Sequence, residues 1–428
     1  MEASAYRFGD FAIWPSERRL LHHGEDKLLP PKAFDALLLL LRNHGRLVSR
    51  ADITRALWPD THVSEANLTN VIVVLRKTLG HDSVQTVSKS GYRFTPVVTG
   101  EPGVHQAAYA SFVRGKELLS ERSLPSISRA RDHFVLCIAE DPQFATAWAW
   151  LGRTFHLLTK FKGELSPGSS LAEAAFRRAF LIDPNLACAH QFYTQLQVDS
   201  GQSMQAMVRL VLRVKQFGEE PEILSGFVQV LRWCGLLDES VAVHQRATAL
   251  DPTIQTSVTH TFFLLGDYPA LLETYVGKAY YLDAAAWAAL GQRERSIALL
   301  RTRLAWPGLG PLMYGLIGSL LAVLDGKDKD ALSIIERTET DQEPESLFYL
   351  ARHCGLLNNA PSTIRMIERA RLSGFWSSHA LEHDPAFQTM RGSSGFVQEV
   401  EKAKRLEANA RRLFDQELGS GFARGTKP

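Results

Sequence analysis

Asp-Pro pairs recur at Asp141-Pro142, Asp183-Pro184 and Asp251-Pro252, and this recurrence narrows the architecture more than any other feature of the chain. The prolines stand 42 and 68 residues apart; 68 is two periods of 34, and 42 is one period plus an insertion of 8 around Phe161–Gly168. A period of that length belongs to a two-helix unit that buries its apolar face only by stacking on copies of itself. Trp148, Leu151, Gly152 and Phe155 mark a first helix, and Ala172, Phe176, Ala179 and Pro184 a second. Ala130, Phe134, Cys137 and Pro142 repeat the second pattern. Fainter copies follow at Gly201 with Ala206, Gly235 with Ala247 and Pro252, and Gly326 with Ala331. The spacing predicts about eight helical hairpins over 107–418, closing in a long helix near Phe396–Leu418, with a flexible tail at 419–428. Trp148, Trp150, Phe155, Phe161, Trp233, Trp287 and Trp306 read as packing residues. A stack of this kind leaves a concave groove suited to a peptide, a protein helix or a small ligand.

The first 98 residues are patterned differently. Short β-type runs at Tyr6–Phe8, Phe11–Trp14, Arg19–Leu21 and Lys27–Leu29 are separated by turn residues. Three helices follow. One opens at Pro30-Pro31 and runs to Gly45; a second is capped by Ser49 with Asp52 and ends at Trp58-Pro59; a third, capped by Ser64, spans Glu65–Leu79 and stops at Gly80. On the third, Leu68, Ile72, Leu75 and Leu79 form a single apolar stripe. Asn67, Asn70, Val73, Val74 and Lys77 fall opposite it, with Thr69 and Arg76 on the flanks. Val84–Val87 and Tyr92–Pro96 then make a hairpin around Ser88-Lys89-Ser90-Gly91.

The order of these elements is that of a winged helix-turn-helix. The stretches Leu29–Leu37, Gly45–Arg50, Leu57–Asp60, Leu68–Gly80, Thr86-Val87 and Gly91–Phe94 resemble the OmpR/PhoB-type DNA-binding domain of bacterial transcription regulators, in the subgroup that carries it N-terminally. The 34-residue unit resembles the tetratricopeptide repeat. The fold class expected is therefore mainly α: a winged helix over 1–98, a linker at 99–106, and an α-solenoid. The resemblance implies that helix 65–79 enters the major groove and that wing 84–96 reaches the minor groove of double-stranded DNA. Asn67 and Asn70 carry paired donors and acceptors suited to adenine edges, with Thr69 beside them. Arg76 and Lys77 suit phosphates, while Lys89, Ser90, Tyr92 and Arg93 belong to the wing. Pro59, Asp60, Thr61 and His62 correspond to the loop this family turns toward RNA polymerase. Val73 and Val74 depart from the polar or basic residues usual there: they fit thymine methyl groups, or else a face covered by another protein, or a reading head weakened for DNA. The second option defines an alternative, a repeat-based interaction scaffold whose winged helix binds protein. No receiver-like segment precedes the winged helix, so a receiver's phosphorylation is not the expected switch. One such module makes few phosphate contacts, so a homodimer on repeated half-sites is expected.

The totals are compatible and exclude several classes. The net charge is only +2, but residues 1–98 carry 13 basic against 10 acidic side chains, and the remainder 35 against 36. The best membrane candidate, Leu312–Leu324, spans 13 residues and falls short of the roughly 20 a membrane helix needs. Cys137, Cys188, Cys234 and Cys354 form no C-x-x-C and read as buried thiols of a cytoplasmic protein. No nucleotide, zinc-protease or serine-hydrolase motif occurs. His379 and His383, with adjacent Asp384, have helical zinc-ligand spacing but lack a further ligand, and His22-His23 falls near a turn facing solvent. Neither an enzyme nor a cofactor is expected.

Overall fold

Turn residues between short alternating runs produce four N-terminal strands, β1 (Tyr6–Phe8), β2 (Phe11–Trp14), β3 (Arg19–His22) and β4 (Glu25–Lys27). Three helices follow, α1 (Pro31–Arg42), α2 (Arg50–Leu57) and α3 (Glu65–Leu79), with β5 (Leu47–Ser49) before α2 and β6 (Val84–Val87), β7 (Gly91–Phe94) and β8 (Val98–Thr99) after α3. The computed structural model describes residues 6–14, 18–23, 25–58, 65–88, 90–99, 106–121, 123–162, 168–275, 281–306, 309–338 and 344–418. Ser64, Lys89, the loop Pro59–His62, most of the expected linker and insertion, and the tail at 419–428 lie outside these residues.

The strands form two antiparallel sheets, β4-β3-β2-β1-β8 and β5-β7-β6. The last strand of the first sheet is an addition to the sequence expectation: its Thr99 falls inside the expected linker and pairs with Arg7. β5 is likewise an addition, and Gly91 belongs to β7 rather than to the turn. There it pairs with Ser49, and a side chain at Gly91 would come within 2.9 Å of the Ser49 Cα. Glycine is needed because two backbones meet there. β4 lies two residues earlier than expected. Phe34, Leu37, Leu40 and Leu41 of α1, Ile53 and Leu57 of α2, and Leu68, Ile72 and Leu75 of α3 share one core with Phe8, Ile13, Val84 and Phe94 of the strands. Ser49 caps α2 as its sequence suggests: its hydroxyl accepts from the Asp52 N–H at 3.0 Å and donates to the Asp52 carboxylate at 2.6 Å.

The rest of the chain is helical. The hairpins are α4 (Gln106–Ser120) with α5 (Leu124–Glu140), α6 (Ala145–Lys162) with α7 (Gly168–Ile182), α8 (Ala187–Asp199) with α9 (Ser203–Phe217), and α10 (Pro221–Trp233) with α11 (Leu237–Leu250). They continue as α12 (Val258–Leu265) with α13 (Tyr268–Thr274), α14 (Leu282–Ala289) with α15 (Arg293–Leu304), α16 (Pro311–Leu324) with α17 (Asp328–Thr338), and α18 (Pro344–Leu356) with α19 (Ala360–Leu372). A short α20 (Ser378–His383) and the 25-residue α21 (Ser394–Leu418) end the described chain. Each Asp-Pro pair sits just past a helix, after α5, α7 and α11. The aspartates finish the turn: Asp141 accepts from the Gln143 N–H at 3.0 Å and Asp183 from the Asn185 N–H at 2.9 Å.

The repeat chemistry is visible where α6, α7 and α8 meet. Ala149, Ala172, Phe176, Ala179, Cys188 and Phe192 form one buried cluster. A Cβ at Gly152 would meet the Phe176 ring at 3.0 Å, so the glycine allows the ring to lie on the helix backbone. Trp148, Trp150 and Phe155 lean on this cluster and Trp233 is buried, whereas Trp306 is 49% exposed. All four cysteines are free and buried, and burial pushes the Cys137 and Cys234 thiols up to about 12. No helix among the described residues is long and apolar enough to cross a membrane.

The chain divides into two compact units. One joins residues 1–114 to His133–Ala147 and Leu250–Pro252; the other holds Gly115–Asp132, Trp148–Ala249 and Thr253–Pro428.

Candidate nucleic-acid interface

Helix α3 presents two chemically distinct sides. Leu68, Ile72 and Leu75 are at most 2% exposed and fix one side in the core. Asn67, Thr69, Asn70, Val73 and Lys77 are exposed on the other. Val74 is not their equal: it is half-buried and packs on the domain core, so the two valines that sequence placed together have different environments.

The hairpin alters three further expectations. Arg76 does not project from the helix toward solvent. Its Nε and Nη2 donate to the Val84 carbonyl at 2.9 and 2.6 Å, and Nη2 also donates to Thr86 Oγ1 at 2.6 Å. The carbonyl at the start of β6 lies within reach of the last turn of α3 and captures the guanidinium. Tyr92, expected in the wing contact, is 3% exposed and belongs to the core, with the Arg50 guanidinium 4.9 Å above its ring. Arg93 is half-buried, its Nη2 stands 3.7 Å from the Asp251 carboxylate in the same unit, and its Nε is buried without a hydrogen-bond partner. Ser90 is half-exposed in the turn, and its carbonyl accepts from the Arg50 N–H at 3.3 Å.

That last bond brings the first turn of α2 beside the wing. Arg46 is exposed just ahead of it, and Arg50 begins the helix, so both basic side chains border the hairpin. Sequence reasoning passed over them, although basic residues flanking a capped helix start were visible in Arg46–Arg50.

The histidine pairs resolve differently. His379 and His383 stack at 4.3 Å, but the Asp384 carboxylate is held by buried Arg352 and by the Ala386 N–H, so it is not turned to the imidazoles. His22 lies on the Phe11 ring at 4.2 Å, and its ligand atoms, with those of His23 and Asp10, all fall within 4.8 Å. Among the described residues this is the group with metal-ligating geometry.

A helix anchored in a domain core, polar on its outer side and followed by a hairpin, is the class of domain the fold defines: a winged helix. Residues 24–94 match the family described as "Transcriptional regulatory protein, C terminal". The transcriptional regulator HilA of Salmonella typhi is 32% identical over 124 residues, 27% of this chain and 22% of that protein. The chain thus spans about a fifth of the length of the curated relative it matches. Among solved structures, the DNA-binding domain of Escherichia coli CadC is 25% identical, with 23% of this chain and 97% of that one covered and a TM-score of 0.22. The TPR domain of P58(IPK) is 16% identical over 72% of this chain and 98% of that one, with a TM-score of 0.22.

Proposed function

We propose that this protein is a sequence-specific DNA-binding transcriptional regulator of the bacterial cytoplasm, with a winged helix over 1–98 and a repeat domain over 107–418 that receives a signal or a protein partner. The exposed side of α3 carries the proposal. Asn67 and Asn70 read adenine edges in the major groove, Thr69 supports them, and Val73 meets a thymine methyl group. Lys77 and the wing residues Lys89 and Ser90 contact phosphates, joined by Arg46 and Arg50. The loop Pro59–His62 faces RNA polymerase, as the family resemblance implies. No catalytic role is proposed.

Selection of bound DNA fragments with the full chain, followed by mobility shifts, tests this reading. Asn70→Ala is expected to cost about 1–3 kcal/mol and to relax preference at one position. Lys77→Ala is expected to weaken all sequences alike and lower the salt dependence by about one ion. Equal binding by the wild type and both variants would overturn the proposal.

The 54% exposure of Val73 favours a second reading, in which this side of α3 docks a protein. Salt-insensitive or absent DNA binding together with a stable protein complex lost in Val73→Asp would select it.

A further inference from the structure

Helix α9 carries two arginines one turn apart, Arg209 and Arg213, and both line a cavity of about 860 Å3 bordered by α8. Arg209 donates to His190 Nδ1 at 2.7 Å, Thr194 Oγ1 at 2.7 Å, Gln197 Oε1 at 2.9 Å and the His190 carbonyl at 3.3 Å. Each of these acceptors is neutral. The imidazole brings no charge: its Nε2 donates to the Pro184 carbonyl at 2.9 Å, which leaves Nδ1 as the acceptor. Burial, with the arginines beside it, holds His190 down at about 4, and burial brings Arg209 down to about 10.

Arg213 is 6% exposed. One nitrogen, Nη2, donates to the Glu220 carboxylate and the Asn185 carbonyl, while Nε and Nη1 are buried with no hydrogen-bond partner. Two guanidinium groups therefore border this cavity, and the carboxylate hydrogen-bonded to Arg213 is that of Glu220, while Arg209 bonds neutral acceptors. A charge removed from water without a counter-ion is costly, and an unused buried donor adds to that cost. Met204, Val208, Leu212 and Phe217 give the wall an apolar side, with Leu212 54% and Phe217 44% exposed. The Phe217 ring lies 4.3 Å from the Arg213 guanidinium, a partly exposed cover over the unused donors.

We propose that this cavity binds a small organic anion, with an apolar body on Leu212 and Phe217 and a carboxylate or similar acid group between Arg209 and Arg213. The acid supplies the missing counter-charge, and the guanidinium fork suits its two oxygens. The volume lies in the range of sites for single small molecules. The inference goes beyond DNA binding and stands or falls independently of it.

The test uses 8-anilinonaphthalene-1-sulfonate and its uncharged counterpart N-phenyl-1-naphthylamine as fluorescent probes on the full chain. The sulfonate is expected to bind one saturable site, with octanoate displacing it at least tenfold better than octanol. Arg209→Gln is expected to weaken the sulfonate about tenfold and leave the uncharged probe unchanged. Gln205→Glu adds a negative charge at an exposed position on the cavity rim without disturbing a buried contact, and is expected to do the same. Equal affinity for both probes in the wild type, or sulfonate binding indifferent to Gln205→Glu, would overturn the proposal. Displacement by an acidic peptide but not by octanoate would overturn it too, since the occupant would then be a protein segment.

Discussion

The winged helix and the repeats solve the problem of buried polarity in opposite ways. Among the described residues 6–99, the buried polar side chain is Ser83, whose hydroxyl donates to the Gly80 carbonyl at 2.6 Å. In the repeats, Arg232, Arg352, Glu345 and His353 are all at most 7% exposed. Arg232 holds Glu345 through two bonds of 3.0 and 3.1 Å and reaches the Ser257 carbonyl with a third nitrogen, while Tyr349 donates to the same carboxylate. Ser319 and Tyr281 bond the two nitrogens of His353. In the small domain the buried side chains are apolar apart from Ser83, and its other polar contacts lie nearer the surface. The stacked hairpins add directional contacts between elements far apart in sequence. Apolar faces are interchangeable between similar repeats, whereas a paired charge fits in one register; that role follows from the geometry and is open to test.

Acid separates the two regions most strongly. Burial holds His353 down at about 3 and His190 at about 4, both from an ordinary 6.5. Between pH 6.5 and 4 the unfolded chain therefore binds protons that the folded repeats refuse, and stability falls as pH falls, by about 1.4 kcal/mol per pH unit for each histidine. No histidine is buried among the described residues of the winged helix, so hydrogen exchange should show the repeats opening first. Simultaneous opening of both regions would erase the distinction. Next in size, Glu345→Ala leaves Arg232 buried without its partner and is expected to cost about 3–5 kcal/mol in urea unfolding of the repeats. A loss below about 1 kcal/mol would mean that water replaces the carboxylate readily. In the winged helix, Leu75→Ala removes a side chain with no exposed surface and is expected to cost about 3 kcal/mol, read from peptide exchange over α1–α3. The smallest change, Ser49→Ala, removes the α2 cap and is expected to cost about 1 kcal/mol. Thermal midpoints of the two variants should rank in that order.

The parts of this fold that sequence disclosed are those with long periodicity or local chemistry. The stripe Leu68, Ile72, Leu75 fixes α3 by itself, and the Ser49 cap and the Asp-Pro turns are contacts within a few residues. β5 and β8 escaped because neither stands out from the connecting residues around it; each exists through its pairing with β7 or β1. The same limit explains the interface. A helical wheel turns Arg76 and Val74 outward, but it contains no β6 carbonyl to draw one aside and no core for the other to lean on. The α9 cavity was invisible for a related reason: its chemistry depends on which acceptors α8 brings opposite Arg209.

The bonds from Arg76 to Val84 and Thr86 clasp α3 to the hairpin, so the two parts keep a fixed offset from one another. On the proposed function, the distance between the bases each one meets is set by the protein. A regulator built this way forgives an exchanged base more readily than an inserted one, which shifts one half of the contact by a full rung while the other stays in place.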